Sequence, residues 1–261
     1  MPSLREHPPA MMKSNSAAAS TTALSLDRLA AALLFRAVLP GWPEYWQGTH
    51  PGKVWTEGPV VFSGPEGEGF SWGGEASAPA LRLHFATVGQ AARAFRGQST
   101  LPPWPLRGWW RVGLIGRISR LMAAFQHTMD DRTLTENPVR AQVILGIACR
   151  AIPVLAEYDP RSAAVADAGA QGSLLIGING QPEAWHLNFQ QKAVACRKEK
   201  ADAAADARMF FNSPATALGV LDSRLDPMVE IGLGRVLISG LVPLADKAGF
   251  IMNRLDQLRH G

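Results

Sequence analysis

Side chains able to do chemistry are few and scattered in this 261-residue chain. His127 precedes Asp130 and Asp131 by three and four positions. At that spacing a carboxylate can orient an imidazole as a base or share a cation with it. The polar end of a helix entering a turn would look the same. His84 stands in the alternating run from Leu81 to Phe85, and His186 follows Trp185 in another strand-like run. Each also reads as a hydrogen-bonded structural side chain. His84, His127, Asp130 and Asp131 are thus weak catalytic candidates only. A Gly-x-Ser-x-Gly elbow, a phosphate loop and a His-Glu zinc pair are missing from the sequence. The glycine-rich run from Gly64 to Gly74 carries Glu66 and Glu68, with Glu75 beside it. Those carboxylates would repel a phosphate, so the run reads as a hairpin. No cofactor and no metal is expected.

The composition sets the frame for these groups. Apolar residues make up 47% and charged ones 18%, enough to bury a sizeable core and too apolar for wholesale disorder. Basic residues number 26 against 22 acidic, with 20 Arg and 6 Lys, and no basic block marks a nucleic-acid binder. Cys149 and Cys196 cannot supply a zinc set and read as reduced thiols. The apolar runs Leu29–Leu39 and Val143–Leu155 are cut by Arg36, Arg150 and Pro153, short of the roughly 20 residues of a span. With no leader at the N-terminus, the expectation is a cytoplasmic protein, or one peripheral to a membrane. Met11 and Met12 leave a later start open. Eight tryptophans are present, and Trp42, Trp46, Trp104, Trp109 and Trp110 fall near Pro/Gly loops, the last three close to Arg107 and Arg111. Indoles with guanidinium groups suit a bilayer interface, a partner enzyme's surface or ordinary packing.

The elements that would hold these groups follow from periodicity and punctuation. Residues 1–24 read as a loose segment. A helix is predicted from Leu26 to Leu39, stopped by Pro40 and Gly41, and short β-runs at Val60–Phe62 and Phe70–Trp72. The strand Leu81–Phe85 leads to a short helix capped by Thr87, a Pro-broken loop over 98–108, a strand-like Trp109–Val112 and an amphipathic helix from Gly113. Asn137-Pro138 opens a helix that Pro153 should kink or shorten, and Asp159–Gly172 looks like a linker. Four strand-sized runs follow: Leu174–Ile178, Ala184–Phe189, Ala193–Arg197 and Ala207–Phe211, the first two joined by a tight Asn179-Gly180 turn. Ser213-Pro214 and Asp226-Pro227 cap short helices, and Arg235–Ser239 is a last strand before a helix over 241–258. The fold class is α+β, with an antiparallel run of strands.

The two halves share punctuation. Each has a strand ending in Phe (Phe85, Phe211), a capped short helix, a strand and a Gly-Leu-apolar helix start, at Gly113 and Gly240. The Phe-to-Gly distances are 28 and 29 residues, which suggests a duplicated unit.

Asp206, the run from Ala207 to Pro214, the turn Ser223-Arg224-Leu225-Asp226-Pro227, the pair Gly234-Arg235 and Gly240 together resemble the sterol-carrier-protein type 2 family, over about residues 168–258. Ser223 stands where that family often has glycine. The resemblance implies a curved antiparallel sheet packed with helices around an apolar tunnel, and, through the repeat, two tandem units. The division expected is 1–24 as a flexible segment, 25–160 as a diverged first unit with extra helices, and 161–261 as the lipid-binding domain. It further implies binding and transport of a sterol, isoprenoid or fatty acyl molecule. Its walls would be Leu218, Leu221, Leu225, Met228, Ile231, Leu233, Val236, Ile238, Leu241, Leu244, Phe250 and Ile251. The same residues could instead fill a solid core. Two other readings stay open: an enzyme of a lipid, isoprenoid or polyketide-like pathway that cyclises or isomerises its substrate in the tunnel, and an accessory scaffold.

Overall fold

A computed structural model describes residues 25–73, 79–98, 104–191 and 193–260. The expected loose segment 1–24, together with Gly74 and Glu75, lies outside the described residues. The first helix, α1 (25–38), ends in a π-helical stretch at Leu34–Val38. Pro40 and Gly41 do not end helical structure there: α2 (Gly41–Thr49) follows at once and buries Trp42 and Tyr45. Then come β1 (Val60–Ser63), β2 (Gly69–Trp72), β3 (Leu81–His84), α3 (Val88–Phe95), β4 (Trp104–Arg107) and α4 (Val112–Asp130). The strand expected at Trp109–Val112 is a turn leading into α4, and the strand sits five residues earlier, inside the expected loop. Pro105 is tolerated in β4 because β4 is an edge strand.

α5 (Pro138–Tyr158) runs unbroken through Pro153, and α6 (Pro160–Asp167) replaces the expected linker, its start capped by Asp159, whose carboxylate accepts from Ser162 N at 3.0 Å. The last part holds β5 (Gly172–Ile178), β6 (Glu183–Gln190), β7 (Ala193–Lys200), β8 (Ala207–Phe211), α7 (Pro214–Leu221), α8 (Pro227–Gly232), β9 (Val236–Gly240) and α9 (Val242–His260). Gly180 has a positive φ, but the connection is four residues long, 179–182, rather than the two-residue hairpin expected.

The molecule is α+β with two sheets, ordered β2-β1-β3-β4 and β7-β6-β5-β8-β9. Neither is purely antiparallel, contrary to the expectation from sequence: β1 pairs parallel with β3, and β5 with β8. The parallel pairs arise because the chain leaves each hairpin and returns on the far side of its first strand, a long-range step that local patterning does not encode. The two sheets share one connectivity. In both, a hairpin precedes a parallel strand, a capped short helix and an antiparallel edge strand. Thr87 and Ser213 cap α3 and α7 through their hydroxyls, each two residues after the matching Phe85 or Phe211. Gly108 follows β4 and Gly240 ends β9, with φ of 79° and 80°, and a Cβ on either would overlap a backbone carbonyl oxygen, that of Ala80 or of Asp206, just before β3 or β8. Gly240 is thus matched in space by Gly108, not by Gly113 as the Phe-to-Gly spacing suggested.

α5 joins the halves. It is long and apolar enough to cross a membrane by length and composition, yet eleven of its residues are buried, and it packs against α1 and α2 on one side and α7, α9 and β7 on the other. Two arginines fix it. Arg150 donates to Ala37 O at 3.1 Å and to both Glu44 carboxylate oxygens (2.9 and 3.3 Å), with its guanidinium 4.7 Å from the Trp185 ring centre. Arg140 is wholly buried and grips Asp222, the C-cap of α7, through two bonds of 2.8 and 2.9 Å. It also donates to the carbonyls of Thr128 and Met129 (3.0 and 3.1 Å), in the last turn of α4. Carbonyls at a helix C-terminus have no intrahelical donor, so this one side chain closes α4 and α7 together.

Candidate functional site

A cavity of about 1090 Å³ lies between the two halves. Its walls come from corresponding places in each. Leu83 of β3 and Phe85 just after it line the cavity with Met209 and Phe211 of β8, and each pair is 126 residues from its counterpart. The ends of α3 and α7 do the same, with Ala94 and Phe95 matched by Val220 and Leu221. α4 contributes Ile115, Ile118 and Met122, while α9 contributes Phe250, Met252 and Leu255. α5 supplies Ile144, Ile147 and Ala148. The alternation of β3 and β8 explains half of this: with Arg82, His84 and Arg208 turned away, the odd positions are free to face inward.

Polar groups border the cavity at helix ends. Gln126 donates to Gly97 O at 3.4 Å beside Gln98, and Ser223 donates to Asp256 at 3.4 Å beside Arg224 and Asp226. Apolar walls with a small polar rim bind the body of a ligand by burial and orient its polar end. The volume lies just above the roughly 300–1,000 Å³ typical of small-molecule sites.

Of the twelve wall residues expected from sequence, Leu221, Leu225, Ile231, Val236 and Phe250 line this cavity. Leu218, Leu244 and Ile251 lie instead in the solid core. Met228, within the six-residue α8, and Leu233, just after it, are exposed, because the residue α8 buries is Glu230. Leu241 is exposed at the turn into α9, and Ile238 is half-buried beside Met209, with which it pairs, without lining the cavity itself. The first half's share of the wall, Trp42, Leu83, Phe85, Phe95 and Met122 among it, was not anticipated. The signal was present: the stripe Leu114, Ile118, Leu121 and Phe125 marks α4 as a packed face, and the Phe85/Phe211 match points to equivalent walls.

The weak catalytic candidates have separate partners. His84 Nδ1 is 3.1 Å from Ser63 Oγ on the side of β3 away from the cavity. Asp131 accepts from the Thr133 amide and hydroxyl (2.9 and 2.6 Å), bonds that hold its carboxyl below the usual range. His127 is exposed in the last turn of α4, and of the four only Asp130 borders the cavity. The two thiols are raised in pKa by burial, Cys196 to about 12 and Cys149 well above its ordinary value. Among the described residues no group of three His, Cys, Asp or Glu is placed to hold a metal ion.

No family model matches the sequence. No curated protein matches it either. Solved structures do. Sterol carrier protein 2 overlaps 43% of this chain and 94% of its own, at 20% identity and a TM-score of 0.35. A ubiquinone synthesis protein described as UbiJ-SCP2 overlaps 44% of this chain and 93% of its own, at 14% identity and a TM-score of 0.35. The apo form of sterol carrier protein 2 from Yarrowia lipolytica overlaps 45% and 93%, at 16% identity and a TM-score of 0.30. Over a domain-sized part of its length, the chain is similar to sterol carrier protein 2 structures.

Proposed function

We propose that this protein binds an apolar, lipid-like molecule, of sterol, isoprenoid or fatty acyl type, in the cavity between its halves and carries or presents it. We further read the halves as two tandem copies of one unit, of which the first has lost an outer strand and gained α1, α2 and α5. The observation that carries the reading is the shared wall: Leu83 and Phe85 with Met209 and Phe211, at corresponding positions of two sheets of like connectivity. Burial of apolar surface supplies about 25 cal/mol per Å², so a ligand with some 300 Å² of apolar surface gains roughly 7 kcal/mol before the costs of association.

Native mass spectrometry of the freshly purified chain, with organic extraction, identifies any molecule it carries. Uptake of cis-parinaric acid then locates the site. Leu221→Trp and Met122→Trp place indoles in the cavity from opposite halves, and each is expected to reduce uptake at least tenfold with the fold retained. Leu237→Trp, on the exposed outer face of β9, serves as the control. Uptake unchanged in both cavity variants would sink the assignment.

A further inference from the structure

We infer that the surface formed by β4 and the start of α4 docks on an anionic lipid bilayer. Trp104, Trp109 and Trp110 are 63%, 64% and 63% exposed, and Val112 is 72% exposed, within nine consecutive residues. Large aromatic side chains are seldom left in water in such a group. Trp109 and Trp110 are in edge-to-face contact, with ring centres 6.0 Å apart, so the pair forms one projecting apolar body.

The charge around them selects the partner. From residue 76 to residue 129 the sequence holds seven arginines (82, 93, 96, 107, 111, 117 and 120) and no aspartate or glutamate. The chain carries +4 in all, so this stretch at +7 leaves the remaining residues at −3. Arg107 pairs with Arg82 across the β3–β4 ladder while Trp104 pairs with His84, which sets indole and guanidinium groups on one face of the sheet. Arg107, Arg117 and Arg120 are exposed. Glu57 is the acidic residue beside this surface, and it is engaged by the Arg117 side chain and, through its backbone carbonyl, by Arg111. Indoles favour the headgroup level of a bilayer, and arginines are drawn to its anionic lipids. A protein partner would meet the same indoles, but a surface whose bordering carboxylate, Glu57, is already engaged by Arg117 fits a continuous sheet of phosphates better than a mixed protein face. The position suits exchange: α4 begins at this surface and runs on as a wall of the cavity, through Ile115, Ile118 and Met122.

The test is sedimentation of the full chain with vesicles of phosphatidylcholine alone, or of phosphatidylcholine doped with phosphatidylglycerol. The chain is expected to sediment with the doped vesicles, with blue-shifted tryptophan emission and a dependence on salt. Trp109→Ser with Trp110→Ser should lower partitioning at least about tenfold. Arg107→Gln and Arg120→Gln should each lower it about fivefold on doped vesicles and little on neutral ones. All four positions are exposed or in the turn, so unchanged melting curves confirm that the variants fold. Failure of the wild-type chain to sediment, or sedimentation of the variants at the wild-type level, overturns the proposal. So does stoichiometric capture of a protein through the same tryptophans by a chain that ignores vesicles. Uptake of cis-parinaric acid is read without vesicles, so this proposal and that for the cavity fail independently.

Discussion

Replacing Arg140 by leucine removes the side chain that ties α4, α5 and α7 together. Four hydrogen bonds are lost, two to the Asp222 carboxylate and two to the carbonyls of Thr128 and Met129. Asp222 is nearly buried and would keep only Arg224, at 3.2 Å, as a cationic neighbour. Breaking a buried pair by deleting one partner costs about 3–5 kcal/mol, because the other charge remains desolvated. Against a total stability of about 5–15 kcal/mol, the loss is from about a fifth to the whole of it. Urea denaturation followed by circular dichroism and tryptophan emission measures it. Asp222→Asn should cost less, since Arg140 keeps its two carbonyls and an amide oxygen. The double variant Arg140→Leu with Asp222→Leu should recover at least about 2 kcal/mol relative to the sum of the single changes. A single Arg140→Leu variant within about 1 kcal/mol of wild type, or strict additivity in the cycle, would refute the view that this pair fastens the halves.

Gly108→Ala and Gly240→Ala should each destabilise by about 2–3 kcal/mol in a thermal or urea melt, since both need a positive φ and both press on a carbonyl oxygen. Equal costs are expected at the two sites, and a tolerated alanine at either would separate them. Cys149 and Cys196 should react with a disulfide reagent at pH 8 only on the timescale of unfolding, because burial keeps both protonated there; a fast stoichiometric reaction would contradict this. Asp206 is held below its ordinary pKa by the backbone amide and then the hydroxyl of Ser173, both at 2.8 Å. Its folded value is below the unfolded one, so the stabilisation is present above about pH 4 and is lost as the pH falls through the folded value. Asp206→Asn should therefore flatten the acid side of the stability profile and leave its alkaline side unchanged.

Much of the fold was legible where local chemistry acts alone. The N-caps Thr87, Asn137, Ser213 and Asp226 are each used as read, because a short side-chain oxygen before a helix has one favourable task. Strands β3 and β8 were plain from their alternation. What escaped was decided by partners distant in sequence. β4 reads as a loop because of Pro105, and only its edge position permits it. Pro153 sits inside α5 because the tight packing around that helix outweighs one missing amide donor. The cavity escaped for the same reason. Its walls are apolar residues of ordinary spacing, and which of them face a ligand site depends on how two halves meet across α5. The resemblance to sterol carrier proteins directed attention to the second half alone, so Leu218 and Ile251 were read with Leu221 although they pack away from the cavity.

The placement of α5 has a consequence for biosynthesis. This helix is apolar around most of its circumference, and its covering arrives in two instalments. α1 and α2 precede it, but α7, α9 and β7 do not exist when it leaves the ribosome. The 82 residues from Tyr158 to Gly240 take about 4–16 s to translate at roughly 5–20 residues per second. Over that interval one flank of a 21-residue apolar helix is covered only in steps, by β7 and then α7, with α9 still to come. The nascent protein should be a client of holding chaperones during just those seconds, and a stop introduced between residues 158 and 240 should yield an aggregating fragment rather than a stable half.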